Sequence, residues 1–163
     1  MTPNVEPAAV TLLPDDPVGD VARQLIDQLC SELSARYGEP PSPFSPSEAA
    51  VPGTVFLVAW LGGEPVGCGA IRKIDDHTAE VKRMYVAPTG RRRGIARKIL
   101  VELEHRARGF GYRTVRLETG TGQPEALALY EACGYHRIPA YGSFVGNPSS
   151  VCYAKSLPSP TPR

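Results

Sequence analysis

Nothing in the chain supplies cysteines at metal-ligand spacing, an apolar run of membrane-crossing length, or an excess of either charge. Cys30, Cys68, Cys133 and Cys152 stand far apart with no C-x-x-C among them, whereas zinc sites draw their ligands from closer spacings. They are expected as free, mostly buried thiols of a reducing compartment, and no metal site is expected. Met1 to Val10 is polar and contains proline, unlike the apolar core of a signal peptide, and no stretch approaches the ~18 apolar residues of a membrane span. The expectation is a soluble, cytoplasmic protein with no membrane partner. Eighteen Lys and Arg balance seventeen Asp and Glu, which removes the broad positive field that nucleic acid selects. Any basic function has to be local. No internal repeat is visible, and the length with 42% hydrophobic and 21% charged residues suits one compact domain, expected over residues 1–157.

Periodicity divides that domain. Asp15, Asp16 and Pro17 supply a helix start, and Val21, Leu25, Ile26, Leu29 and Leu33 recur at helical spacing as far as Tyr37 and Gly38. Residues 39–53 hold five prolines, which predicts a loop, either a lid over a binding site or a plain surface linker. Thr54 to Leu61, Pro65 to Ile74 and Thr78 to Val86 read as three successive antiparallel strands, with turns at Gly62-Gly63 and Asp75-Asp76. From Gly94 the period changes to that of a helix: Ile95, Ile99, Leu100, Leu103 and Ala107 share one face, and Arg97, Lys98, Glu102 and Arg106 cover the other. Tyr112 to Glu118 alternates as a strand, so a right-handed crossover to a parallel neighbour is expected. Pro124 opens a last helix that stops at Gly134, two short strands follow near Tyr135 to Ile138 and Val151 to Lys155, and residues 158–163 are expected as a disordered tail.

The segment Val81 to Leu100 is the most informative. A strand there runs through a basic, glycine-flanked turn directly into an amphipathic helix. The first amides of a helix have no intrahelical partners, and the macrodipole adds about half a positive charge. Gly94 lets the backbone approach a bulky anion, and Arg91, Arg92 and Arg93 add mobile charge, so a diphosphate suits the junction. Three arginines before a helix can equally form a solvated turn.

Two motifs decide between these. Arg91-x-x-Gly94-x-Ala96 is similar to the Q/R-x-x-G-x-G/A signature of the GNAT superfamily of N-acetyltransferases. Gln123-Pro124-Glu125-Ala126-Leu127-Ala128-Leu129-Tyr130-Glu131-Ala132-Cys133-Gly134-Tyr135 approximates that family's N-x-x-A-x-x-L-Y-E-x-x-G-F block. The blocks and their strands cover about Val55 to Lys155, and neither a dinucleotide G-x-G-x-x-G nor a Walker lysine competes. The resemblance implies an α/β (α+β) GNAT fold, with a mixed, mostly antiparallel sheet of six to seven strands, about four flanking helices and a splay between the fourth and fifth strands. It implies acetyl-coenzyme A as cosubstrate. The pantetheine arm would lie along the backbone of Met84, Tyr85 and Val86, and the pyrophosphate on the amides from Arg91 through Arg92, Arg93, Gly94 and Ile95 to Ala96. Gln123 stands where the family has an asparagine.

The resemblance also places the chemistry. Tyr130 falls on the position of the acid that protonates the departing thiolate. Glu80 lies eleven residues before Arg91, the spacing of the catalytic glutamate in the histone-acetylating branch, so it is a candidate base; a water chain is the alternative. Strand alternation puts Glu80, Lys82 and Met84 on one face before any bulge. His77 falls in a turn and His105 on a helix facing away, and Cys133 lacks a paired histidine. Expected is direct transfer of an acetyl group to a primary amine of a small molecule or amino acid. A protein N-terminus or lysine remains open, as does a non-catalytic acyl-CoA sensor; members commonly pair as homodimers.

Overall fold

The computed structural model describes residues 9–37 and 45–159, so residues 39–44 of the proline-rich segment and 160–163 of the expected tail lie outside it. Strands β1 (Val10–Pro14), β2 (Val55–Leu61), β3 (Glu64–Lys73), β4 (Thr78–Val86), β5 (Thr114–Gly120), β6 (His136–Ile138) and β7 (Ser150–Ser156) form one sheet in the order β1-β2-β3-β4-β5-β7-β6. Only β4 and β5 run parallel; the other pairs are antiparallel. The parallel pair is the one that the helix between them predicts. Strand β1 went unread in the sequence because it is a five-residue edge strand ending in proline, a residue that edges tolerate and central strands do not.

Helices α1 (Asp20–Tyr37), α2 (Pro46–Ala49), α3 (Ile95–Gly109) and α4 (Pro124–Ala132) flank the sheet. Helix α2 corrects the reading of residues 39–53 as wholly non-helical. Ser45 and Glu48 form a capping box around one turn opened by Pro46, and proline is compatible with a first helical turn.

Strand β2 shows how the core divides. Phe56 and Val58 point to one face and pack beneath Ala22, Leu25, Ile26 and Leu29 of α1, while Leu57 and Ala59 point to the other and pack beneath α3. The α3 stripe that the sequence predicts is the buried one: Ile95, Ile99, Leu100, Leu103 and Ala107 are each 2% exposed or less. Glycine at position 69 permits this approach, since a Cβ there would stand 2.7 Å from Ile99 Cγ2. Close seating of α3 fixes the position of its N-terminus against β4.

The sheet opens where the family resemblance implies. Pairing of β4 with β5 runs from Thr78↔Thr114 to Val81↔Leu117 and stops, while β4 continues on β3 and β5 continues on β7. Between Cys68↔Tyr85 and Ala70↔Lys82 strand β4 carries an extra residue, and Arg83 takes a left-handed φ of 59°. Such a bulge bends its strand and disrupts the ladder. It also switches the alternation. Glu80 and Lys82 share a face, but Met84 crosses to the α3 side, where its sulfur lies against Gly69. Truncating Leu103 tests the seating of α3. Leu103→Ala should cost about 2–5 kcal/mol in urea unfolding, and a loss below about 1 kcal/mol would show that this helix is not anchored through its buried stripe.

Candidate active site

A cleft of about 1020 Å³ occupies the parting of β4 and β5. It runs from the α1 face past the backbone of Met84, Tyr85 and Val86 to α4, and its walls include Arg91, Arg92, Ala96, Gln123 and Tyr130. Its outer end is built by the basic turn. After the 3-10 turn Pro88–Gly90, Arg91 is extended, Arg92 has φ 65° and Gly94 has φ 71°. None of the amides from Arg92 to Ala96 donates to a backbone carbonyl among the described residues. Alternating handedness of this kind turns successive N–H groups toward a common point, an anion nest continued by the helix dipole. A Cβ on Gly94 would meet nothing within 4 Å, so its left-handed conformation, not crowding, is what selects glycine.

Side chains at this end divide by role. Arg91 donates from Nε to the Val86 carbonyl at 3.0 Å and is ion-paired with Glu32 of α1, so its guanidinium is drawn toward α1. Arg93 is exposed and lies outside the cleft lining. Ile95 is 2% exposed and packed in the core, so only its amide is available. Tyr85 directs its hydroxyl to Gln28 Oε1 at 3.3 Å, leaving its backbone to the cleft. Gln123 stands at the N-cap position of α4 without a capping side-chain bond and lines the cleft. Orphan amides at one end and an unpaired strand edge at the other fit a ligand with a diphosphate and an extended amide-containing arm, as in coenzyme A.

Tyr130 stands at the inner end, 5% exposed, with its ring 5.9 Å from that of Tyr135 and 6.2 Å from that of Tyr153. Burial and then the nearby Glu118 carboxylate push its phenol well above the ordinary value. Glu80 enters the cleft as expected, but it is fastened: 1% exposed, it accepts from Arg72 Nε at 2.8 Å and from the Tyr141 hydroxyl at 2.6 Å. Lys82 Nζ lies 3.8 Å from the same carboxylate.

Glu118 was missed in the sequence. It lines the cleft half-buried, and desolvation raises its pKa above the usual carboxylate value, partly offset by a hydrogen bond with Ser150. A signal existed: in β5, buried Val115 and Leu117 alternate with Arg116 and Glu118, so a polar face had to look somewhere other than the core. Tyr141 gave no local signal, because its place against Glu80 depends on the β6–β7 connection. Its ring stacks edge-on against Phe144 and lies under the Arg116 guanidinium. Glu48 of α2 reaches within 3.9 Å of Arg72, which brings the proline-rich segment's helical turn to this same side.

No disulfide joins the cysteines among the described residues, and there no trio of His, Cys, Asp or Glu gathers into a metal site. No helix there is long and apolar enough to cross a membrane. His105 is exposed on α3 and His136 on β6, both outside the cleft lining.

Comparison with known proteins agrees with this geometry. The acetyltransferase (GNAT) family model matches residues 22–135. An IAA acetyltransferase of Azospirillum brasilense is 36% identical over 150 residues, covering 91% of this chain and 98% of its own. The N-alpha-acetyltransferase RimI of Mycobacterium tuberculosis is 35% identical over 118 residues, 68% of this chain and 73% of its own. A crystal structure from Klebsiella pneumoniae, of a protein classed as an acyl-CoA N-acyltransferase, superposes with a TM-score of 0.77 at 31% identity, covering 91% of this chain and 97% of that one. A GNAT acetyltransferase from Elizabethkingia anophelis with acetyl-CoA bound shares the fold, at a TM-score of 0.67 and 18% identity over 91% of this chain and 98% of that one. The chain belongs to the GNAT acetyltransferase family: it is an N-acetyltransferase with acetyl-coenzyme A as cosubstrate.

Proposed function

We propose that this enzyme acetylates the primary amine of a small molecule or amino acid by direct attack, with Tyr130 as the acid and the carboxylates of Glu80 and Glu118 on the acceptor side. The observation that carries the reading is the early end of the β4–β5 pairing, which joins the amide nest and Tyr130 through one cleft. The amides of Arg91 to Ala96 would hold the diphosphate, and Met84, Tyr85 and Val86 would offer strand backbone to the arm, with Gln123 beside it. Bound there, acetyl-coenzyme A supplies a thioester whose acyl carbon forms the new C–N bond while the C–S electron pair leaves with sulfur.

The protons are handled by the chain. An amine arrives as an ammonium and must lose a proton before it can attack. Of the two carboxylates, Glu80 is committed to Arg72 and Tyr141, while Glu118 has no ion pair among the described residues and is raised in pKa by desolvation. Glu118 Oε is therefore the better proton acceptor, and Glu80 orients Tyr141 and Arg72 around the acceptor. The Tyr130 hydroxyl donates to the departing sulfur. Since burial makes a free tyrosinate costly, its proton moves as the second proton of the amine nitrogen replaces it.

The acceptor side is lined by Phe144, which Tyr141 backs, and is approached by α2 through the Glu48–Arg72 contact, which supports a small acceptor over a polypeptide. A peptide amine is the second reading, favoured by likeness to the mycobacterial N-alpha-acetyltransferase. Cysteines without a disulfide among the described residues support a reducing compartment such as the cytoplasm.

Three outcomes follow. Glu32→Gln should release Arg91 and tighten coenzyme A binding in calorimetry by up to about fivefold, the range of a half-exposed ion pair; weaker binding would place Glu32 among the cofactor's supports. Tyr130→Phe should lower acetyl turnover by about 10²-fold or more, read as thiol release, with coenzyme A affinity nearly unchanged. An equal loss of both assigns the tyrosine to binding or packing. Glu118→Gln should erase the acidic limb of the kcat/KM profile, a limb that lies above the ordinary glutamate range because the folded pKa is raised. A raised carboxylate pKa removes stability as pH climbs through it, so the same variant should melt higher than wild type at neutral pH; an unchanged limb would return the base role to Glu80 or water.

A further inference from the structure

Strands β4 and β5 part immediately after the Val81↔Leu117 pair. The next residue on β4 is Lys82 and the next on β5 is Glu118. Both line the cleft, so a cation and an anion stand at its throat on the two strands that have just separated. In a continued ladder they would be neighbours across the pair and would neutralise each other. Here they do not: the ion pair found for Lys82 is the one at 3.8 Å to Glu80, a carboxylate already occupied by Arg72 and Tyr141. Glu118 feels Lys82 only as the smallest of its electrostatic influences.

Neither charge is well hydrated. The Lys82 side chain is 25% exposed, and burial is the main influence on it, lowering its pKa against the opposing pull of Glu80. A desolvated cation that shares its nearest carboxylate, Glu80, with Arg72 and Tyr141 favours an anionic ligand. A desolvated carboxylate opposite it favours an ammonium.

We infer that the acceptor is a zwitterionic amino acid, its ammonium presented to Glu118 and its carboxylate held by Lys82. This deepens the reading given above and rests on it. The bridging geometry completes the ion pair that the bulge at Arg83 prevents the protein from making itself. It also orients the acceptor, because the end that meets Glu118 is the end that loses its proton to the Glu118 carboxylate and becomes the nucleophile. A peptide N-terminus carries its ammonium without an adjacent carboxylate and would leave Lys82 unanswered. Phe144, backed by Tyr141 at a ring-centroid distance of 5.4 Å, lines the side where the remainder of the amino acid would project.

The test compares the twenty standard L-amino acids with their α-amides and their decarboxylated amines, by thiol release and by calorimetry on the protein saturated with coenzyme A. At least one free acid should exceed its amide tenfold in kcat/KM and should give a binding heat that the amide lacks. Lys82→Met should cut that preference at least tenfold and abolish the acid's binding heat, while Lys82→Arg keeps part of both. Coenzyme A binding heats on each variant show that it is folded. Amides and amines used as well as the acids, or an equal loss of acid and amide in Lys82→Met, would overturn the assignment of the carboxylate to Lys82 and leave the transferase reading standing. Coenzyme A binding without thiol release from any compound in the panel would sink the amino-acid assignment, and thiol release restored by other primary amines would leave the transferase reading standing.

Discussion

The interaction on which the site depends is one that is not made. Strand β4 could continue its ladder with β5 beyond Val81↔Leu117, and the extra residue near Arg83 prevents it. The left-handed φ of Arg83 is unfavourable for a non-glycine residue, and residues held in such conformations cluster where strain serves a purpose. Here the return is an open strand edge. Backbone groups of Met84 to Val86 that a continuous sheet would consume face a cleft, and among the described residues no ion pair joins Lys82 to Glu118.

The opening is useful only because its two ends are fixed by different parts of the core. At the outer end, the N-terminus of α3 is placed by the stripe from Ile95 to Ala107 and by the missing side chain of Gly69. At the inner end, Tyr130 is placed by its packing against Tyr135 and Tyr153, which are themselves tied to Glu104 and Glu131. Both ends belong to the core on the α3 and α4 side of the sheet. The span between anion nest and phenol is therefore set within one packed unit, which suits a reaction in which small displacements of reacting atoms are costly.

Legibility in the sequence followed the range of the interactions. The three-strand meander, the α3 stripe, the parallel crossover and the two motif blocks are local patterns, and each occupies its expected place. Gly94 and Tyr130 were readable because they belong to contiguous motifs. Strand β1 was not, since its five residues gain their identity only from pairing with β2. The turn of α2 was readable in principle from Ser45 and Glu48, but the prolines around it dominated. Met84 left its expected face because a bulge is invisible to a period-two count. Tyr141 and the pairing of Arg72 with Glu80 arise from contacts between strands and loops distant in sequence, which no local spacing reports.

The two glutamates illustrate the limit most clearly. Glu80 and Glu118 have the same side chain, lie on neighbouring strands and face the same side of the sheet, so sequence spacing favours the one that matches a known position. Their surroundings separate them. A guanidinium at 2.8 Å and a phenol at 2.6 Å satisfy the Glu80 carboxylate and hold it in place. Glu118 has a hydrogen bond with Ser150 but no ion pair among the described residues, and burial dominates over the weaker pull of Lys82. When two carboxylates share a site, unequal environments assign the proton. A carboxylate fastened on two sides suits a fixed anchor, and the base role is proposed for Glu118 because protonation there relieves its desolvation.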